Sequence, residues 1–454
     1  MKTTISEATR RAIVARVEGA NAQFYADYPG ESGGRQPCQT AYVNPNEFHP
    51  DLARAWGDEA RRALKRYAPD AATLAQIVAP GGAPHVAETV YARVVEKLSR
   101  EPVEDLRIDF EDGYGPHSDA DEDADAVRVA IGIADADRRG ALPPFFGIRV
   151  KPLNAEFAAR SVRTVDGFLT ALVHAAGGRL PNGFRFTLAK VTTPEQVSAF
   201  RELLDALEQT LNLAPASLTF EIMIEVAQAL IGPRGEVRVA ALVAAGGARC
   251  TAAHLGAYDF TSSCGIVAAH QSLAHPACDI ARQLMLVSLA GRGVFLSDGS
   301  THRLPAPDIG ADGVLEAWRI HASDVRRSLV QGFYQGWDMH PVQLPTRYAA
   351  VYTFFLEALP RATERMTAFL GRIQSAPVGE ALEGGHSSAA RIVDDAATGQ
   401  ALLNFFLRGV TCGAITEDEA IRSGLTPNEL HTRAFDKTRG PRLRTIDEPV
   451  SVST

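Results

Sequence analysis

Residues 218–225 read LTFEIMIE, an almost continuously apolar run that ends in a carboxylate, Glu225. A strand covered on both faces reads this way, because in a parallel sheet neither face meets water. Seven further runs of similar length are spread along the chain: CQTAYVN (38–44), EDLRIDF (104–110), FFGIRVK (145–151), FRFTLAKV (184–191), AAHLGAYDF (252–260), GVFLSDG (293–299) and GWDMHPV (336–342). Helical periodicity fills the gaps. Val86, Val90, Val94 and Leu98 repeat every four residues, and Leu315, Trp318, Val325 and Leu329 keep a stripe of helical spacing. Alternation of this kind is the pattern of parallel α/β architecture, and eight strands with seven helical connections predict a closed (β/α)8 TIM barrel. No G-x-G-x-x-G or G-x-x-x-x-G-K-[ST] follows any strand, which disfavours a nucleotide-binding sheet.

The 454 residues exceed the roughly 250 of a bare barrel. The pattern divides them into an N-terminal helical segment (1–35), the catalytic barrel (36–345) and a helical C-terminal region with a polar tail (346–454), in which Arg347 to Ile373 and Ser388 to Leu407 read as helices. The C-terminal extension is placed over the barrel mouth as an expectation. The acidic run from Asp119 to Asp125 opens a predicted helix, where carboxylates meet the N-terminal dipole favourably.

A formal charge of −8 with both signs interspersed offers no footprint for nucleic acid or an anionic membrane, so a small-molecule substrate is expected. The N-terminus lacks the apolar core of a signal peptide and no stretch is long enough to span a bilayer, which predicts a cytoplasmic protein. Cys38, Cys250, Cys264, Cys278 and Cys412 form no close pair and read as buried, reduced thiols.

Catalysis in such barrels sits at the C-terminal ends of the strands, which selects Asp109, Glu111, Arg149, Lys151, Lys190, Glu225, Asp259 and His340. Alternation along a strand puts Asp109 with Glu111 on one face, Arg149 with Lys151 on another, and Glu221, Met223 and Glu225 on a third. Carboxylates are costly to bury unless paired or metal-bound, so Glu225 and Asp259 suit a divalent cation that keeps several waters. Salt bridges or helix caps are the alternative for that pair. Arg149 is open to two readings, a grip on a substrate carboxylate or an ion pair with Asp109 or Glu111. His340, before Pro341, is either catalytic or a strand-end hydrogen-bonding group.

At these positions the chain resembles the HpcH/HpaI aldolase family, in its citrate lyase β-subunit-like branch, to which malyl-CoA lyases belong. IDFEDGYG (108–115), GIRVKPL (147–153), LAKV (188–191), IMIEVAQAL (222–230), GAYDF (256–260) and GWDMHPVQ (336–343) match its motifs in order, over about residues 36–345. The resemblance implies a barrel of the phosphoenolpyruvate/pyruvate-binding type and a Mg2+-dependent (or Mn2+-dependent) carbon–carbon lyase acting on a hydroxy acid or its acyl-CoA through an enolate. It places the metal on Glu225 and Asp259, the substrate on Arg149 with Lys151 and Asp109 beside it, and Glu111 and His340 among the catalytic groups. A homo-oligomer, trimer or hexamer, is implied as well. Lys151, Ala189 and Val226 depart from the motifs, which puts the substrate, and the use of a CoA thioester, in doubt.

Three other readings stand beside this one. Water activated at the same site makes a thioesterase, Lys151 or Lys190 makes a Schiff-base enzyme, and a barrel without chemistry makes a binding module. The basic segment from Arg433 to Arg444 is either a solvated tail or a clamp reaching a neighbouring subunit.

Overall fold

The computed structural model describes residues 4–375 and 396–433. All eight apolar runs become strands: β1 (Gln39–Val43), β2 (Asp105–Asp109), β3 (Phe145–Val150), β4 (Phe184–Leu188), β5 (Phe220–Ile224), β6 (Cys250–Leu255), β7 (Phe295–Ser300) and β8 (Gln335–Asp338). Each pairs in parallel with the next, and β8 closes on β1 with Ala41 opposite Asp338. The architecture is a closed (β/α)8 barrel.

Most runs end sooner than their composition predicts, the sixth and eighth by the most. The sixth stops at Leu255, Gly256 turns the chain, and Ala257–Ser263 is a helix, so Asp259 lies in a first helical turn instead of at a strand end. The eighth stops at Asp338, and Pro341–Gln343 is a short 3-10 turn. The acidic run behaves as expected: Ser118 caps the helix Asp119–Arg138, its hydroxyl accepting from the Asp121 N–H at 3.2 Å.

Apolar packing lies mainly between strands and surrounding helices, where Phe146, Phe184, Phe186, Phe200 and Phe220 stack edge to face. Inside the barrel the filling is largely polar, unlike the layers of branched aliphatics usual there. Thr40 donates to Asp105 (2.9 Å), and Arg107 bridges Asp105 (2.9 Å) and Glu221 (2.8 Å). His254 meets Glu221 at 2.9 Å and accepts the Trp337 indole N–H at 3.1 Å. Tyr42, Met223 and Trp337 form a small apolar layer of their own. Gly147 is required by this arrangement, since a Cβ there would lie 1.6 Å from the Arg185 carbonyl and 3.0 Å from Arg107 Nη1.

The helix Leu344–Ser375 follows β8 and packs against the helices Gly310–Val330 and Pro84–Arg100, as the eighth helix of a barrel should. The helix Ala396–Cys412 then crosses the N-terminal ends of the strands. Tyr352 donates to the Cys412 carbonyl (3.2 Å), Phe355 packs on Phe405, and Arg408 lies over the Tyr334 ring at 4.1 Å. The described part of the extension thus lies by the N-terminal ends of β1, β7 and β8, and residues 376–395 and 434–454 lie outside the described residues.

The five cysteines are unpaired as expected, but Cys264 is exposed, at the end of the helix that carries Asp259. Among the described residues no helix is long and apolar enough to cross a membrane. Of the basic segment beginning at Arg433, residues 434–444 lie outside the described residues.

Candidate active site at the barrel mouth

Asp109 ends β2 and Arg149 is its neighbour on β3. The guanidinium grips the carboxylate with two parallel bonds, Nε to Oδ1 at 2.7 Å and Nη2 to Oδ2 at 2.6 Å. Backbone N–H groups of Glu111 (3.0 Å) and Gly113 (2.8 Å) saturate the same carboxylate. The ion-pair reading of Arg149 thus holds: Asp109 engages Nε and Nη2, and Glu111 lies 3.4 Å from Nη2. Burial disfavours the charge on Arg149, but Asp109, Glu111 and Glu225 more than offset it and hold the guanidinium firmly ionised.

Lys190 follows β4 in a left-handed conformation, φ +47°, unusual for a residue with a side chain. That geometry aims its backbone N–H at Glu225 Oε1 (2.7 Å) and sends its ammonium among three other carboxylates, Glu111 (2.5 Å), Asp112 (2.7 Å) and Asp259 (3.1 Å). Burial works against the ammonium, yet Glu225 and Glu111 raise its pKa above the ordinary lysine range.

Glu225 stands just beyond β5, 1% exposed. The chain at Gly256 passes so close that a Cβ there would come within 2.4 Å of the Glu225 side chain. Burial pushes the Glu225 carboxyl up to about 8 against the pull of Arg149 and Lys190, and Asp259 and Glu111 add like-charge repulsion. Asp259 and Glu111 are also raised, first by burial. Asp112 instead falls to about 2: burial pushes it up, but hydrogen bonds to Lys190 and Glu111 and the charges of Lys190 and Arg149 together outweigh that. Five carboxylates thus face two cations, which leaves the mouth short of positive charge.

Of the residues singled out in the sequence, Asp109, Glu111, Arg149, Lys190, Glu225 and Asp259 come together. Lys151 does not join them: β3 ends one residue earlier, and its ammonium turns to the Phe110 carbonyl (2.8 Å) and Glu122 (2.7 Å). The expected substrate contact through Lys151 is replaced by an ion pair to the neighbouring helix. His340 also stands apart. Its Nδ1 accepts the Val342 N–H at 3.2 Å as an N-cap, and burial lowers its pKa with Glu59, Glu47 and Asp308 as the nearest charges. Asp112, next to Glu111 at the end of the second run, joins the cluster through Lys190. Tyr42 carries no such signal in the sequence. Its ring lies 5.2 Å from the Arg149 guanidinium and 4.6 Å from Trp337, and its buried hydroxyl has no protein partner among the described residues.

The fold is shared with a solved structure. A citrate lyase from Burkholderia xenovorans LB400 superposes with a TM-score of 0.52 at 19% identity, covering 74% of this chain and 93% of that one. A Haloferax volcanii malate synthase gives 0.47 at 13% identity over 88% and 91%. A comparison with curated proteins finds no match. The family described as a domain of unknown function, DUF6986, matches residues 17–438, which is most of the sequence, and the chain belongs to that family.

Proposed function

We propose that this protein is a divalent-cation-dependent carbon–carbon lyase or condensing enzyme acting on a small hydroxy or keto acid, free or as a thioester. The observation that carries the proposal is Glu225, a carboxyl buried at the mouth and pushed up to about 8, flanked by Asp259 and faced by Arg149. The sequence resemblance to the HpcH/HpaI aldolases falls on these same residues.

The donor set fits a hard cation. Glu225 and Asp259 are oxygen ligands in a pocket with excess negative charge, and Mg2+ is commonly held by one or two carboxylates with water and substrate completing the shell. Among the described residues no group of three or more His, Cys, Asp or Glu is gathered as a ready-made cage. Glu225 and Asp259 would hold the ion, which when bound supplies Lewis-acid stabilisation of negative charge.

The chain's own residues supply the rest. Arg149, fixed by Asp109 and 6% exposed, offers Nη1 to an oxygen of the acid fragment on which negative charge develops. Lys190 keeps Glu111 and Asp112 in place and balances their charge. Held as an ammonium by carboxylates, it is the opposite of the neutral amine that Schiff-base chemistry requires.

Calorimetric screening of keto acids, hydroxy acids and acyl-CoA thioesters, with and without Mg2+, tests the reading. Metal-dependent binding of an acid in the parent, lost in Glu225→Ala and Asp259→Ala, is expected. Undiminished Mg2+ or Mn2+ binding by both variants would refute the metal assignment. Free CoA released without a carbonyl co-product would move the chemistry to thioester hydrolysis.

A further inference from the structure

Beneath the barrel, at the N-terminal ends of β1, β7 and β8, the helix Ala396–Cys412 roofs a cavity of about 470 Å3, within the size range of small-molecule sites. Phe295 and Phe355 give it apolar surface, and Arg408 and Arg433 also line it.

The two arginines are unevenly matched. Arg408 donates to Glu31 (2.9 Å) and Gln36 (3.3 Å). Arg433, in a left-handed conformation with φ +57°, is held by neutral acceptors, the Gly34 carbonyl (2.8 Å) and the Thr411 hydroxyl (3.2 Å). Glu31 is the one carboxylate seen to engage either guanidinium among the described residues, and its side chain is 56% exposed. Burial and the neighbouring Arg408 charge both lower the pKa of Arg433. Arg408 and Arg433 are half-buried, and the fully buried arginines of the chain are matched better: Arg107 by Asp105 and Glu221, Arg282 by Asp279 and Asp298, Arg347 by Asp338. Two guanidiniums converging on a half-enclosed cavity with one solvent-facing counter-charge make a site for an oxyanion.

We infer that this cavity is a second ligand site, remote from the mouth, which takes a small organic anion with its phosphate or carboxylate between Arg408 and Arg433 and its apolar body against Phe295 and Phe355. Glu31 then acts as an internal competitor, occupying Arg408 until the ligand arrives.

Titration calorimetry on the full chain tests this with three probes: phenyl phosphate, benzoate and inorganic phosphate. Phenyl phosphate or benzoate should bind more tightly than inorganic phosphate, and whichever of the two is tighter names the head group. Arg433→Gln should weaken the tighter probe about tenfold, the loss of one charge-assisted contact. Glu31→Gln should tighten it several-fold, an effect that a purely structural role for these arginines would not produce. Arg149→Lys should leave the affinity unchanged. The inference is overturned if none of the probes binds, if Arg433→Gln and Glu31→Gln both bind like the parent, or if Arg149→Lys abolishes binding while Arg433→Gln does not, since the anion would then sit at the mouth.

Discussion

Lys190 holds a backbone conformation that costs roughly 1 kcal/mol or more for a residue with a Cβ, and it does so among carboxylates that its ammonium ties together. Its charge stands where it competes with any added cation. Replacing it with glutamine should therefore tighten Mn2+ binding, by about tenfold for a contact near 3 Å in a partly dry site, while turnover falls; electron spin resonance of free Mn2+ reads the affinity. Arg149→Lys should go the other way in kind. A lysine cannot keep two bonds on Asp109 and a third nitrogen on the substrate, so kcat/KM should drop about a hundredfold with cation affinity little changed. For Glu225 the sign of the pH effect follows from its raised pKa. The folded protein binds this proton more tightly than the unfolded chain, so the stabilisation is fully present below the ordinary value of 4.5 and is lost as pH rises through about 8. Without metal, the Tm of the parent should fall between about pH 4.5 and pH 8, and the Glu225→Gln variant should be flatter over that window.

At the scale of the elements, close approach of backbone to side chain shapes the mouth. A methyl at Gly256 would drive into Glu225, so Gly256→Ala should keep the barrel, lose about 1–3 kcal/mol of stability in urea melts and weaken Mg2+ binding at least tenfold. The same glycine explains what could be read in advance. Strand positions were legible because buried parallel strands must be apolar whatever surrounds them. AAHLGAYDF looks like one strand since Tyr258 and Phe260 are good strand formers, and only the turn at Gly256 shows that Asp259 belongs to a helix. Alternation placed Arg149 correctly and failed for Lys151, because the face rule holds only while the strand lasts and β3 ends at Val150. Nothing in Leu-Ala-Lys-Val announces a left-handed lysine, so the strand-end rule put Lys190 at the mouth without its carboxylate partners, and the neighbours of His340 depend on loops that no local pattern specifies.

For the whole molecule, the floor and the mouth are separable. Leu403, fully buried in the helix Ala396–Cys412, belongs to the floor; Leu403→Ala should cost about 2–4 kcal/mol by denaturant titration and leave cation affinity within about twofold. The interior of the barrel is different, because its polar groups come from strands far apart in sequence. Thr40 meets Asp105 from 65 residues away, Arg107 meets Glu221 from 114, Trp337 meets His254 from 83, and Gln335 meets Thr40 from 295. On a growing chain the first strands leave the ribosome with these charges and hydroxyls unanswered. Their last partners arrive only with β8, more than two-thirds of the way through synthesis. A half-made barrel would have to desolvate them without reward, so the early strands should stay open to water until the final one arrives, and closure should come as one late, concerted event.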